Sequence, residues 1–446
     1  MKRLSSTDLR LLNQMRLRRA KHALRRTNRF RRKFQRFQSS RIALAHHFGQ
    51  KSKILTLLEA RASKKINVEQ GIRVTVPKVF SILDAPEVVV DTINKFAAVK
   101  ASGKRPTSIY IDQTAMETYD LAASALLDLA AVELKKELQL NNRPGRFEGA
   151  FQKYGPVARF IKAIGIVRHL GIRGHMPTWT EMQKLRVFDR RNRHYHPPKS
   201  AKTATRKELA AGGFVSHLND CLATQEKKLT PTGASRLVGC LGELLDNAEE
   251  HARFSDWSLL GYLDLDCEQP KVEIAIINFG RSFAETFQEL EADHFSWDSV
   301  RPYVDRHSSK SKLLGGCRDE DLLTVMALQP HISSKNHDAS HSRGHGTVQL
   351  LRFFSKVHQA CTGSALGAQM ALVTGSTFIR FDGKHLLSES PEQEATIAFN
   401  DRNSLTDQPD NDYVRSLGKC HFPGTIISIR FPLTTAMVQE EETRNE

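Results

Sequence analysis

The sequence predicts an α/β protein in which two domains follow a basic N-terminal arm. From about residue 65, short apolar strands alternate with amphipathic helices, which is typical of a small α/β unit. Residues 237–251 form a helical pattern that places a carboxylate and an amide on one polar face. Further on, glycine-containing turns adjoin apolar elements at Asn278-Phe-Gly280 and Gly344-His-Gly346, which favours ligand approach to the backbone.

The chain has 446 residues, which is too long for one ordinary core and favours two or three domains. Composition changes along the chain suggest where these domains begin and end. The expected segments are a basic arm over 1–60, a first α/β domain over 65–180, a basic linker over 181–210, a second domain over 211–434 and an acidic tail over 435–446.

Cysteine usage and hydropathy limit the class of protein. The six cysteines include no CxxC pair, which argues against a disulfide framework or a zinc ribbon and favours a reducing compartment. No run approaches the roughly 18 apolar residues of a membrane span, and the N-terminus lacks the apolar segment of a secretion signal. We therefore expect a soluble cytoplasmic protein with no membrane partner.

The net charge of +17 is concentrated at the N-terminus. Residues 1–41 hold fifteen Lys or Arg and one acid, so they carry +14 (15 − 1) and the rest carries +3 (17 − 14). This arm is predicted to be a basic helix or disordered. Such a segment suits a phosphate backbone or an acidic partner, and nucleic acid is a candidate ligand of the arm. A solvated tail with no specific partner explains the same composition.

The first domain is predicted from a regular alternation of elements. A strand begins at residue 71 and a helix follows, with Asp84 as its N-cap. Asp120 is expected to cap a second, Ala- and Leu-rich helix. The predicted elements are strands over 71–77 and 108–112 and helices over 84–101, 121–140 and 157–166.

The runs Ile109-Tyr-Ile-Asp-Gln-Thr and Tyr119-Asp-Leu-Ala-Ala-Ser-Ala-Leu-Leu-Asp-Leu resemble the STAS fold of anti-sigma-factor antagonists. The resemblance covers about 80 residues. In that family a phosphorylatable Ser or Thr follows an Asp at the helix start, whereas Leu121 occupies this position here and Ser124 lies three residues later. The resemblance therefore implies a structural, partner-docking or dimerising domain more than one regulated by phosphorylation.

The segment after the first domain is basic and polar and is predicted to be a linker or an exposed loop. It contains the run Arg190-Arg-Asn-Arg-His-Tyr-His-Pro-Pro-Lys199. His194 and His196 stand two residues apart without further ligands nearby. We interpret them as solvated side chains and expect no metal there.

The helix over 237–251 carries the first candidate site residues. Glu243 and Asn247 are four residues apart, so both side chains project from one face. A carboxylate there can orient or deprotonate a water, and an amide oxygen can bind a hard cation such as Mg²⁺. An ordinary amphipathic helix with a solvated polar face is the alternative. The apolar face is predicted to comprise Leu237, Leu241, Leu244, Leu245 and Ala248.

The rest of the second domain surrounds a long polar segment over about 295–343. One internal helix is predicted there, over 319–328, and the segment otherwise reads as a lid or binding loop. Gly344-x-Gly346 directly precedes an amphipathic helix, where exposed backbone amides form an anion site. The flanking strands are predicted over 259–265, 272–278, 369–373, 377–381 and 422–432.

These elements, in this order over about 210–434, resemble the GHKL ATPase superfamily of gyrase B, heat-shock chaperone, sensor histidine kinase and MutL type. The resemblance implies a Bergerat-type two-layer α/β sandwich that binds ATP and Mg²⁺. Glu243-x-x-x-Asn247 is similar to the N box of the family. By that match Asn247 would hold Mg²⁺ and Glu243 would polarise the attacking water or hydroxyl as the catalytic base.

The glycine boxes of the family have partial counterparts in this chain. Asn278-Phe-Gly280 resembles the first box, with Asn in place of the adenine-binding Asp and Ser282 in place of the second glycine. Gly344-His345-Gly346, continued by Thr347, resembles the second box, whose amides would cradle the phosphates. Gly424-Thr425 resembles the terminal Gly-Thr, whose hydroxyl helps to read adenine. The candidate phosphate contacts from the lid are Lys310, Lys312, Lys335 and Arg343.

The resemblance leaves three functions open. The first is a regulatory Mg-dependent ATPase or protein kinase that acts in partner switching, with a phospho-acceptor on another protein. The second is a nucleotide-gated interaction module with little turnover. The third is a nucleic-acid-associated ATPase that uses residues 1–41. A homodimer is compatible with each of them.

Overall fold

A computed structural model describes the chain between residues 52 and 440. The described residues are 52–59, 71–103, 106–140, 146–164, 178, 181, 185–192, 205–251, 256–267, 270–314, 317–330, 332, 345–365, 367–390 and 393–440. The compact unit formed by these residues begins at Ser52. The predicted basic arm lies outside the described residues up to residue 51.

The first part of this compact unit, residues 52–164, alternates helices and strands and is called the N-terminal unit. Its elements are α1 (Lys53–Glu59), β1 (Gly71–Thr75), β2 (Val79–Phe80), α2 (Pro86–Ala101), β3 (Ser108–Gln113), β4 (Thr118–Tyr119), α3 (Leu121–Leu140), β5 (Arg146–Phe151) and α4 (Pro156–Ile164). Strands β1, β3 and β5 form a parallel sheet in that order, and β2 pairs with β4. The strand–helix order predicted from the sequence is confirmed.

Local sequence explains where these elements begin. The amide of Ala123 donates to Asp120 Oδ1 at 2.7 Å, so Asp120 caps α3 as predicted. Helix α2 instead has Ala85 as its N-cap and Pro86 in its first turn. The carboxylate of Asp84 accepts a hydrogen bond from the Ser81 hydroxyl at 2.7 Å, so the cap predicted at Asp84 is wrong by one residue.

The remaining elements begin with an edge strand and end near the C-terminus. They are β6 (Leu185–Asn192), α5 (Arg206–Leu222), β7 (Lys227–Leu229), α6 (Pro231–His251), β8 (Trp257–Asp264), β9 (Lys271–Phe279), α7 (Phe283–Gln288), α8 (Ser296–Leu314), α9 (Asp319–Ala327), α10 (His345–Ala360), β10 (Gln369–Gly375), β11 (Thr377–Phe381), β12 (Ser388–Ser390), β13 (Gln393–Thr396), β14 (Val414–Ser416), β15 (Phe422–Pro432) and β16 (Val438–Glu440).

Seven of these strands form one antiparallel sheet in the order β14-β11-β10-β15-β9-β8-β6. The paired strands predicted over 369–373 and 377–381 are β10 and β11. Strand β6 lies within the segment predicted to be a linker, and it pairs with β8 along its whole length. The mixed α/β class predicted from the sequence is therefore observed, with this larger sheet at its centre.

Both faces of the seven-stranded sheet are buried. Alternate residues of β9, such as Ile274 and Ile276, pack in one core with helices α5, α6 and α10. The intervening residues, such as Ala275 and Ile277, pack in a second core with the N-terminal elements α1 to α4. The N-terminal unit thus covers the back of the sheet and shares a core with it, and the described residues belong to one compact unit.

A buried polar cluster joins the N-terminal unit to the sheet. The Glu273 carboxylate is almost fully buried and accepts from the Leu121 amide at 2.9 Å and from Arg430 Nε at 2.7 Å. The same guanidinium donates to the carbonyl of Tyr119 at 2.6 Å. Because the free amide at the start of α3 meets a carboxylate, the contact also suits the positive end of the helix dipole.

Helices also form in the predicted lid and at the end of the predicted arm. Helix α8 occupies 19 residues at the start of the predicted lid, and α9 confirms the internal helix predicted there. Helix α1, placed in the arm by the sequence prediction, buries Ile54, Leu55 and Leu58. Within the described part of the chain, no helix is both long and apolar enough to span a membrane.

Candidate functional site

Helix α6 presents the predicted pair Glu243 and Asn247 at its margin. The predicted apolar face is buried, whereas both polar side chains are partly exposed. Neither side chain forms a hydrogen bond or an ion pair with another described residue. Glu243 and Asn247 extend a line at spacings of three and four that begins at Gly233, Arg236 and Cys240. They therefore share one flank of the helix.

A polar row crosses the apolar sheet at one end. Asn278 on β9 lies opposite Thr425 on β15, which lies opposite Thr374 on β10, and Thr374 pairs in turn with Thr377 on β11. All four side chains are buried, and the hydroxyls of Thr374 and Thr425 lie 3.1 Å apart. Directly opposite residues share a face. Their alternation with the core places this row on the face that carries α6 and α10.

Two glycines bring backbone close together beside the row. Gly424 has φ +134°, and a Cβ at this position would lie 2.1 Å from the carbonyl oxygen of Asn278. Gly280 has φ +132°, and its amide donates to the carbonyl of Pro423 at 3.1 Å. Only glycine tolerates such positions without strain. The first glycine box and the Gly-Thr predicted from the sequence are therefore neighbours in space.

Ser282, which replaces the second glycine of the first box, has a local structural role. Its hydroxyl accepts from the Glu285 amide, and the Glu285 carboxylate accepts from the Ser282 amide, which makes a capping box at the start of α7. The next amide, that of Phe283, donates to Thr374 Oγ1 at 3.0 Å. Ser282 therefore caps α7, and the backbone at the start of this helix is bonded to the polar row.

A pair of acidic residues fixes α9 beside the same end of the sheet. Asp321 Oδ1 accepts from the Thr377 hydroxyl at 2.7 Å, and Glu320 Oε1 accepts from the Ser376 amide at 2.6 Å. Burial raises the pKa of both carboxyl groups. Sequence reasoning missed these residues because their partners come from a strand more than fifty positions away.

The C-terminal half of α6 is anchored at the end of the row. Glu249 Oε1 accepts from Trp257 Nε1 at 2.8 Å and from Asn192 Nδ2 at 3.1 Å, and its Oε2 pairs with Lys207 at 3.2 Å. Trp257 lies opposite Asn278 in the sheet. This contact brings the helix that carries Glu243 and Asn247 to the end of the sheet that carries the polar row. The sequence gave no signal for Glu249 beyond its place on a polar face.

Helix α10 begins at His345, within the predicted second glycine box. Thr347 is buried, and its hydroxyl lies 3.5 Å from the carbonyl oxygen of Ala327 at the end of α9. Gly346 lies in the first turn of the helix. Gly344 and two of the predicted lid contacts, Lys335 and Arg343, lie outside the described residues. His345 and the other two lid contacts, Lys310 and Lys312, lie in described helices, but their side chains are outside the description.

The described residues of the site offer a metal ion few protein ligands. Among the described residues, no group of three or more His, Cys, Asp or Glu side chains is arranged to hold a metal ion. Mg²⁺ usually takes one or two protein oxygens and completes its shell with water and substrate phosphates. Asn247, with a partly exposed amide, is compatible with that limited role.

The fold and the site together define an α/β protein with a polar row at one end of an otherwise apolar sheet. Comparisons with protein-family models, curated proteins and solved structures found no match for this chain. The class of ligand must therefore be inferred from the residues of the site and their geometry.

Proposed function

We propose that the chain is an ATP-binding regulatory protein of the GHKL type, with Mg-dependent hydrolysis or phosphoryl transfer. The proposal rests on one observation. Asn278 pairs in register with Thr425, beside the two glycines Gly280 and Gly424. The adenine edge offers an amino donor and ring acceptors. An amide oxygen and a hydroxyl placed side by side can satisfy both, and the glycines leave the backbone accessible.

The proposed phosphate end lies between α6 and α10. On α10, the residues Gly346, Leu350, Phe353, Val357 and Ala360 follow helical spacing and share one flank. The C-terminal half of this flank lines the same cavity as Gly233 and Arg236 of α6. The two flanks therefore face each other.

The two helices run in opposite directions over the sheet. Helix α6 ends near Trp257, whereas α10 ends where β15 ends, since Cys361 Sγ lies 3.5 Å from the carbonyl oxygen of Pro432. From Arg236 to Asn247 is 11 residues (247 − 236), and from Val357 to Gly346 is also 11 (357 − 346). Arg236 and Val357 line the same cavity and so lie at about the same level. At 1.5 Å per residue both distances are about 16 Å, so Asn247 lies level with the first turn of α10.

This arrangement assigns roles to the two α6 side chains. Asn247 would hold Mg²⁺ against phosphates that are bound by the amides at the start of α10. Glu243 lies one turn earlier on the same flank and has no described partner. Its carboxylate is therefore available to orient a water or an acceptor hydroxyl. The proposed cofactors are accordingly ATP and Mg²⁺.

The packing of the N-terminal unit supports the proposal of a regulatory protein. Its STAS-like elements belong to the same chain as the proposed ATP site and pack on the same sheet. Ser124, which lies three residues after the family's phosphorylation position, is buried, so a kinase has no access to it in this state. The start of α3 is bound by Glu273 of the sheet. We propose that the unit supports the ATP-binding sheet and that the partner or phospho-acceptor is a separate protein.

Nucleotide binding and turnover by the purified full-length chain test the proposal. Calorimetry with and without Mg²⁺ is expected to show Mg-dependent ATP binding that Asn247→Ala removes. Glu243→Ala is expected to bind ATP like the wild type but to lose turnover. Asp246→Asn is a matched control on the same helix, because Asp246 pairs with Lys207 on the other flank.

Each outcome has a defined meaning. If the wild type does not bind ATP in Mg²⁺, the proposal is wrong. Unchanged turnover in Glu243→Ala would remove its role as the base. Binding without any turnover in the wild type would identify a nucleotide-gated interaction module instead of an enzyme.

A further inference from the structure

A cavity lies at the end of the sheet opposite the polar row. It has a volume of about 160 Å³ and opens between the N-terminal half of α6 and the C-terminal half of α10. Val272 at the start of β9 and Phe431 near the end of β15 contribute to its lining. Asn278 lies six residues after Val272 (278 − 272), which is about 20 Å at 3.3 Å per residue. The cavity is therefore separate from the proposed nucleotide site.

The lining of this cavity is mainly apolar. It is formed largely by side chains that belong to the core of the helix-bearing face, namely Leu218, Leu237, Val272, Phe353, Val357 and Phe431. An apolar cavity of about this size can accommodate a benzene-sized group. A short acyl chain or one aromatic ring would therefore fit without displacing the core.

Two cationic side chains also line the cavity. Arg236 extends from α6 and Lys356 from α10, and both are exposed. Neither forms an ion pair or a hydrogen bond with another described residue. Because the two cations belong to the two helices that border the cavity, an anionic group at its mouth would meet positive charge from both sides.

We propose that this cavity binds a small amphiphilic anion, a carboxylate with a short acyl or aromatic tail. The tail would occupy the apolar interior, and the carboxylate would pair with Arg236 and Lys356. A nucleotide does not suit this cavity, since its polar phosphates and sugar would face apolar walls. The basic segment over 1–41 is disfavoured as an occupant, because its charge of +14 would be repelled by the two cations.

Octanoate and 1-octanol, matched in chain length, test the proposal on the full-length protein. Calorimetry or ligand-observed NMR is expected to show octanoate binding that is stronger than octanol binding. The double variant Arg236→Glu/Lys356→Glu should weaken octanoate by about tenfold or more and change octanol little, since only the carboxylate loses partners. Lys153→Glu/Lys419→Glu is the charge-matched control, because both lysines are exposed and neither lines the cavity.

A second variant tests the cavity itself. Ala360 lines the cavity from the last turn of α10, so Ala360→Phe adds a ring to its wall. This variant should weaken both ligands by about tenfold or more while the circular dichroism spectrum stays unchanged. Absence of octanoate binding at millimolar concentration would overturn the proposal. Octanoate binding that survives both the double variant and Ala360→Phe would overturn it equally.

Discussion

Asn278 and Thr425 lie directly opposite each other on neighbouring antiparallel strands, on the sheet face that carries the helices. If this pair reads adenine, Asn278→Ala removes one neutral hydrogen bond and should weaken ATP about 3- to 10-fold. Asn278→Asp should raise the preference for ATP over GTP, because a carboxylate accepts more strongly from the adenine amino group. Competition of both nucleotides for a fluorescent analogue measures these changes. Ser258→Ala, a buried polar change on the opposite face, should have no effect.

The unusual backbone at Gly424 predicts a large cost for the smallest possible side chain. Gly424→Ala would place Cβ against the carbonyl of Asn278 at a strained φ, so the free energy of unfolding should fall by about 2–3 kcal/mol. Gly418 also has positive φ, at +65°, but no atom lies within 4 Å of a Cβ there. Gly418→Ala should therefore cost only about 1 kcal/mol, which urea denaturation can compare. Equal losses would contradict a role for the close strand contact.

The buried pair of Glu273 and Arg430 predicts a strong dependence of stability on both partners. Arg430→Met leaves the buried Glu273 carboxylate with only the more distant Lys271, at 3.7 Å, and should cost about 3–5 kcal/mol of unfolding free energy. The double variant Arg430→Met/Glu273→Leu should cost less than Arg430→Met alone, because no charge remains buried. Arg415→Met breaks the partly exposed pair with Glu87 and should cost at most about 1 kcal/mol. A double variant less stable than Arg430→Met would contradict this account.

His217 predicts a loss of stability in mild acid. Burial between Phe188 and Phe214 lowers the pKa of His217 to about 4, and its Nε2 lies 3.0 Å from the carbonyl oxygen of Arg186. The unfolded chain takes up this proton near pH 6.5, so the unfolded state binds more protons between pH 6.5 and 4. The stability contributed by His217 is therefore complete above pH 6.5 and falls as the pH decreases towards 4.

Between pH 7 and pH 5 this contribution should change by on the order of 2 kcal/mol, with the wild type less stable at pH 5. His217→Gln keeps a donor for the Arg186 carbonyl but does not titrate. Urea denaturation of both proteins at the two pH values measures the difference. An equal loss of stability in wild type and variant would show that other groups cause the pH dependence.

The sequence was sufficient to predict most elements that have a strong periodic pattern. Helix α6, with its apolar face, is one example, and the strands that carry Asn278 and Thr425 are another. The family resemblance gave both residues a role at adenine but did not predict their pairing, since register depends on strands that are distant in sequence. Thr374 was missed for that reason, because a lone Thr in an apolar strand carries no local signal.

Strand β6 and helix α8 are among the elements that the sequence did not predict, for different physical reasons. Strand β6 is an edge strand that contains Arg186, Arg190 and Arg191, and these basic residues make its sequence resemble a linker. Helix α8 is polar and contains Pro302, which suggested a loop. Val300, Tyr303 and His307 are nevertheless buried at helical spacing, and that pattern was the available signal.

One sequence pattern indicated that both faces of the sheet are covered. Residues 272–279 are almost continuously apolar, which is typical of a strand with both faces buried. A two-layer sandwich leaves one face exposed, so Ala275 and Ile277 required a further covering layer. The alternation of apolar residues did not identify the N-terminal unit as that layer.

Burial of the sheet's back face also has a consequence for the order of events during synthesis. The carbonyl of Tyr119 can accept its hydrogen bond from Arg430 only after a further 311 residues have been synthesised. At roughly 5–20 residues per second, the ribosome needs on the order of 15–60 s to supply it. Until then the sheet that covers α3 and α4 lacks its central strand β15. The nascent N-terminal unit should therefore be a substrate for chaperones that shield exposed apolar surface, and its native packing should form only late in translation.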